Sequence, residues 1–140
     1  LALDDIPYEA AMIAYRVWIR RKKWMPKPSE MRDLVDEHVF GIPTAESARA
    51  QVERSLKENK GPGHPVAYEP DAIVVKALRE AGGSSVFRNA QSGRELESMW
   101  QRFAFVYGEL RSERLATIDY ATEYAALASG DDRSVKALAS

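Results

Sequence analysis

The stretch SGRELESMWQRFAFVYGEL, residues 92–110, decides the fold class. Its apolar residues Leu96, Met99, Phe103, Val106 and Leu110 recur at the spacing that places side chains on one face of an α-helix. Such a seam suits packing against another helix, within one chain or between copies. Trp100, Phe103 and Tyr107 lie on one side of the same helix, where aromatic side chains most simply form core. Ser92 begins the helix. Glu113 and Arg114 interrupt the seam and Ile118, Ala121, Tyr124 and Leu127 resume it, so the helix runs to about Ser129 or kinks near Ser112.

Helix punctuation continues toward the N-terminus. Gly82-Gly83 stops a helix that carries Ile73, Val74, Ala77, Leu78 and Ala81 and starts with Pro70 at its first position; one further turn of helix fits Ser85 to Asn89. Lys60 to Pro65, Lys-Gly-Pro-Gly-His-Pro, cannot be helical and is the best candidate boundary in the chain. Thr44 is a good N-cap for a helix reaching about Asn59, with Ala45, Ala48, Val52 and Leu56 as a narrow stripe, and Gly41-Ile42-Pro43 is a stop before it. Met31, Leu34 and Val35 form the stripe of a helix from Pro28 to about Val39. The first helix starts near Pro7, with Asp4 and Asp5 at its positive end, repeats Ile6, Ala10, Ile13, Ala14 and Val17, and ends before Met25-Pro26.

No alternating run of β-branched residues bounded by hairpin turns occurs. The expected fold is all-α, a small bundle of about five to six helices with a long C-terminal helix. It divides into an N-terminal helical region over 1–60, a C-terminal helical region over 66–129 and a tail over 130–140, or folds as one compact domain. At 140 residues and 45% hydrophobic, the chain can bury one modest core or two very small ones. The first residue is Leu1 rather than methionine, which points to a fragment, a processed form or part of something longer. The absence of cysteine removes disulfides, thiolate metal sites and cysteine nucleophiles together, and suits a reducing cytoplasm. No apolar run approaches the roughly 18 residues of a membrane span, and no signal-peptide pattern is present, so no membrane partner is expected.

Charge is unevenly placed. Arg16, Arg20, Arg21, Lys22, Lys23 and Lys27 fall between Ala10 and Ser29 with no acid among them; taking these six from the net charge of −1 leaves about −7 for the rest. Trp18 and Trp24 flank the run. Arg16, Arg20 and Lys23 share one helical face, and arginine beside an aromatic ring can stack as well as attract charge. Such a patch fits an anionic partner, either nucleic acid or an acidic protein surface. Cations at a helix C-terminus are also favourable on their own, by roughly 0.3–1 kcal/mol each, and the tryptophans also fit a core. The partner-contact residues expected are Arg16, Arg20, Arg21, Lys22, Lys23, Trp24 and Lys27. Leu96, Met99, Trp100, Phe103, Tyr107 and Leu110 are expected to serve helix packing or self-association.

Catalytic constellations are thin. His38 and His64 stand far apart and form no His-Glu-x-x-His pair, Gly82-Gly83-Ser84-Ser85 lacks the lysine of a phosphate loop, and no Gly-x-Ser-x-Gly elbow occurs. Asp36-Glu37 and Asp131-Asp132 are adjacent carboxylates, expected to point apart and be solvated. No catalytic, cofactor or metal residue is assigned. Pro28 and Glu30 start their helix in the manner of a capping box, but Lys27 at the cap position has no acceptor to complete it.

Two segments resemble phage proteins. Asp5-Ile-Pro-Tyr-Glu, a helix, and then Lys23-Trp-Met-Pro-Lys-Pro-Ser-Glu-Met-Arg32 resembles the helical domain of phage replicative-helicase loaders over residues 5–37. That family carries a Pro-Thr-Pro-x-Glu-Ile/Leu-Arg turn; here Pro26 to Arg32 matches it except that Lys27 replaces the capping threonine. Tyr68 to Leu110 is similar to a helical region of phage and prophage replication-associated proteins, through Pro70-Asp71, Gly82-Gly83, Trp100, Arg102-Phe103 and Tyr107, with Ser84 where an aromatic is usual. The resemblance implies a phage or prophage replication accessory protein engaging the host replicative helicase or the replication complex. With no phosphate loop, it would act by binding alone.

The function expected is therefore a non-enzymatic adaptor of phage-type DNA replication, without cofactor. Two alternatives stand beside it. One is a small DNA-binding regulator built on the first two helices, against which the second helix is acidic at Glu30, Asp33, Asp36 and Glu37. The other is a self-assembling helical module that forms a homo-oligomer along the Leu96–Leu110 seam.

Overall fold

A computed structural model describes residues 4–21 and 26–129. Among them it is all-helical: α1 (Tyr8–Arg21), α2 (Pro28–His38), α3 (Ala45–Glu58), α4 (Ala72–Glu80), α5 (Ser84–Arg88), α6 (Gly93–Thr117) and α7 (Tyr120–Ser129). These are seven helices rather than five or six, and the longest, α6, is not the last. The expected tail over 130–140 lies outside the described residues. No described helix is long and apolar enough to cross a membrane.

The described residues form two compact units, one made of those up to Pro43 together with Thr117–Ser129, the other Thr44–Ala116. The Lys60–Pro65 loop falls inside the second unit. Asn59, the C-cap of α3, explains why: its side-chain oxygen accepts the N–H groups of Ala67 and Tyr68 at 2.8 and 2.9 Å, and its amide donates to the Tyr68 carbonyl at 2.7 Å. The loop is thereby closed at its base, and it joins two helices that share one core.

In the first unit α1 buries Ala10, Ile13, Ala14 and Trp18 against Met31, Leu34 and Val35 of α2 and Tyr120 and Tyr124 of α7. The α2 start is half a capping box, since Glu30 accepts the Lys27 N–H at 3.1 Å and the lysine ammonium has nothing to accept with. After α2, Gly41 takes φ 68°, which lets the Ile42 N–H reach the Asp36 carbonyl at 2.7 Å.

The second unit packs α3, α4, α5 and α6 around Val52, Val74, Leu78, Phe87, Trp100 and Phe103. Thr44 caps α3 as its sequence requires, its hydroxyl accepting the Ser47 N–H at 3.2 Å. The start of α4 differs from expectation: Asp71 is the N-cap and Ala72 the first helical residue, with Pro70 buried ahead of them. Gln51 of α3 holds Asp71 in this non-helical geometry, accepting its N–H and donating to its carboxylate, both at 2.9 Å. At the far end, Gly82 and Gly83 adopt φ 122° and 88°, and the Gly83 N–H closes back on the Leu78 carbonyl at 2.8 Å.

Helix α6 passes Ser112 without a break and ends at Thr117. Asp119 then starts α7 instead of extending α6. Its carboxylate accepts the Thr122 N–H at 3.2 Å and the Thr122 hydroxyl at 3.0 Å, while Glu123 accepts the Asp119 N–H at 3.0 Å. That reciprocal cap places the break at Ile118-Asp119, neither a single helix to about Ser129 nor a kink near Ser112.

Candidate functional site

The basic end of α1 is set by how the helix packs. Trp18 is buried in the core of the first unit and Arg16 is half-buried. The next residues turn outward: Ile19 is 54% exposed, and Arg20 and Arg21 are exposed in the last turn. Lys27, also exposed, sits at the entry to α2. Of the expected contact residues, Arg20, Arg21 and Lys27 thus lie at the surface and Arg16 is half-buried, while the flanking Trp18 belongs to the core. Lys22, Lys23 and Trp24 lie outside the described residues. The partial negative charge of the α1 C-terminus supports Arg20 and Arg21 in place, and an exposed isoleucine beside them adds an apolar element to a cationic surface.

A polar chain within the first unit holds α1, α2 and α7 in register. Arg32 donates to both Asp5 carboxylate oxygens, at 2.8 and 3.1 Å, joining the approach to α1 with α2. The Arg32 guanidinium also lies 5.4 Å from the centroid of the Tyr120 ring. Tyr120 in turn donates its hydroxyl to Asp36, which is 1% exposed, at 2.7 Å. The Arg32 hydrogen bond holds Asp5 below the usual carboxylate range. Burial, and then the hydrogen bond to Asp36, push the Tyr120 phenol up to about 12.

This arrangement corrects the expectation that Asp36 is solvated beside Glu37. Asp36 follows Leu34 and Val35 onto the buried side of α2, and the Tyr120 hydroxyl satisfies part of its charge. The exposed acid of α2 is Asp33, with Glu30 and Glu37 half-buried. Nothing local in the sequence marks Asp36 as a partner of Tyr120, because 84 residues separate them.

The second group of expected residues is divided by burial. Trp100, Phe103 and Tyr107 are in the core of the second unit; Met99 and Leu110 pack against it half-buried, and Leu96 is 36% exposed. The rings form a ladder, with Phe87 and Trp100 centroids 4.8 Å apart, Trp100 and Phe103 5.9 Å, and Phe103 and Tyr107 5.9 Å. Arg49 of α3 covers the outer face of this ladder, 4.4 Å from the Trp100 centroid. His64 is exposed on the closed loop and His38 is half-buried in α2. Among the described residues no cluster of His, Asp and Glu is placed to hold a metal ion.

Comparison with protein-family models, with curated proteins and with solved structures finds no match to this chain.

Proposed function

We propose that this protein is a non-enzymatic adaptor of phage-type DNA replication that binds the replicative helicase, or another protein of the replication complex, through the basic end of α1. The observation that carries this is the make-up of that surface: Arg20 and Arg21 exposed beside an exposed Ile19, with Lys27 exposed at the entry to α2. Cations around an apolar side chain suit an acidic protein face, where charge sets orientation and the apolar contact adds affinity. A phosphate backbone would use the cations but gain little from the isoleucine.

Two further features support the assignment. The loader-like segment is tied together at its ends, since Asp5 and Arg32, which bound its two quoted motifs, pair at 2.8 Å. The α1–α2 pair is also braced by α7 through Tyr120 and Asp36, so its surface rests on a fixed support. Asp33 is exposed on α2, which is unfavourable for a helix lying against phosphates.

The test is capture of the replicative helicase encoded in the same genome by the immobilised chain, in parallel with an Arg20→Glu, Arg21→Glu variant. Retention by the parent chain and loss by the variant are expected. Equal retention by both would remove the α1 end from the interface, and no retention by the parent would overturn the assignment.

A further inference from the structure

The second unit has a cleft beside its aromatic ladder. Ala45, Glu46 and Arg49 of α3 and Trp100, Phe103, Ala104 and Tyr107 of α6 line about 200 Å3 of mainly apolar space that is open on one side. Both alanines are exposed and too short to close it. Arg49 makes one wall, fixed over Trp100 and held by Glu53 at 2.9 Å. An apolar cavity of about 150 Å3 holds one benzene molecule, so this cleft has room for a phenyl ring.

The same helix offers such a ring. Phe105 is 70% exposed, whereas Phe40, Phe87 and Phe103 are buried or half-buried. Successive helical residues turn by about 100°, so Ala104 and Phe105 flank a strip that carries Gln101 and Gly108. Both strip residues are exposed, and a Cβ added at Gly108 would meet nothing within 4 Å. The strip can therefore accept another helix at close range.

We propose that a second copy of this chain fills the cleft. Two α6 helices pair in parallel about a two-fold axis along their length, and the Phe105 ring of each enters the cleft beside Ala104 of the other. The direction follows from symmetry. A two-fold axis along the helices brings opposite flanks of the strip together at the same level, so Phe105 meets Ala104. A two-fold axis across them pairs like flanks and leaves both clefts empty. One helix pair is small against the roughly 1,200 Å2 of a stable interface, so the dimer is reversible and depends on concentration. Its face is not the Leu96–Leu110 seam, most of which packs inward.

The absence of cysteine in the chain makes a clean test possible. Position 101 lies on the strip, where the two-fold axis brings the copies within the roughly 4.4–6.8 Å between Cα atoms that a disulfide needs. The Gln101→Cys variant is expected to form a disulfide-linked dimer under mild oxidation, and to lose it when Phe105→Asp is added. Sedimentation equilibrium should show the parent chain self-associating with rising concentration. Phe105→Asp and Ala104→Trp, the second filling the cleft from its own chain, should both remain monomeric with unchanged helical circular dichroism. A parent chain monomeric at every concentration would overturn the proposal and leave the cleft to another partner. A dimer that survives both substitutions, or one that position 101 fails to cross-link, would equally overturn it.

Discussion

The hydroxyl of Tyr120 donates to the carboxylate of Asp36 across 2.7 Å, in a core otherwise built from Ile13, Leu34 and Val35. A buried carboxylate is costly unless hydrogen bonds replace its water, so this contact restricts how α7 can dock on α2. Arg32 extends the chain of contacts to the surface, lying 5.4 Å from the Tyr120 ring centroid and pairing with Asp5. The α1–α2 pair, with the basic helix end, is held in this frame.

Tyr120→Phe keeps the ring and removes the donor. It should destabilise the first unit by about 1–3 kcal/mol, the usual cost of leaving a buried polar group short of a partner. Urea denaturation followed by circular dichroism measures this. A change within a few tenths of a kcal/mol would show that the hydrogen bond contributes little.

The raised phenol of Tyr120 has an alkaline consequence. With a folded value of about 12 against 10.0 for an ordinary phenol, the neutral form is favoured by folding. Its contribution is complete below pH 10 and is lost as pH rises through 12, a difference of about 3 kcal/mol. Stability measured against pH should fall more steeply across that window in the parent chain than in Tyr120→Phe. Parallel curves would contradict the assignment.

At the acid end the sign reverses. Arg32 lowers the Asp5 carboxyl, so that pair stabilises the fold above the unfolded value of about 3.9 and ceases to do so as pH falls through the lower folded value. Asp5→Asn should lower stability at neutral pH and leave an acid transition with a shallower slope. Because Asp5 is exposed, the effect should be small and should shrink in high salt, which thermal melts at two ionic strengths would show.

Gly82→Ala should destabilise the second unit by about 1 kcal/mol or more. The residue holds φ 122°, and its added Cβ would stand 3.1 Å from Val86 Cγ2. A lowered thermal midpoint is expected, whereas an unchanged one would mean that the α4–α5 turn relaxes freely.

Helix boundaries were legible where one residue decides them. Thr44 caps α3, Gly82 and Gly83 end α4, and Pro28 with Glu30 opens α2, all through contacts within a few residues. Boundaries set by distant partners were not. Pro70 looks like a helix start until Gln51, distant in the chain, fixes Asp71 as the cap. The Asp119 cap is local, closed by Thr122 and Glu123, but the apolar spacing that continues through Ile118 and Ala121 hides it. On α6 the spacing identified the helix, and Trp100, Phe103 and Tyr107 form core as their shared side implies, whereas Leu96 at the start of the seam is left partly outside. At the candidate site the charge run was plain in the sequence. Its division into buried Trp18, half-buried Arg16 and outward Arg20 and Arg21 required the packing of α1 on α2.

The most direct test of the adaptor assignment is calorimetric titration of the replicative helicase with this chain, repeated with Arg20 and Arg21 both changed to glutamate. Saturable binding by the parent chain is expected, weakened at least tenfold in the variant, which corresponds to about 1.4 kcal/mol. Absence of heat and of complex with the parent chain, while its helical circular dichroism shows it folded, would contradict the assignment.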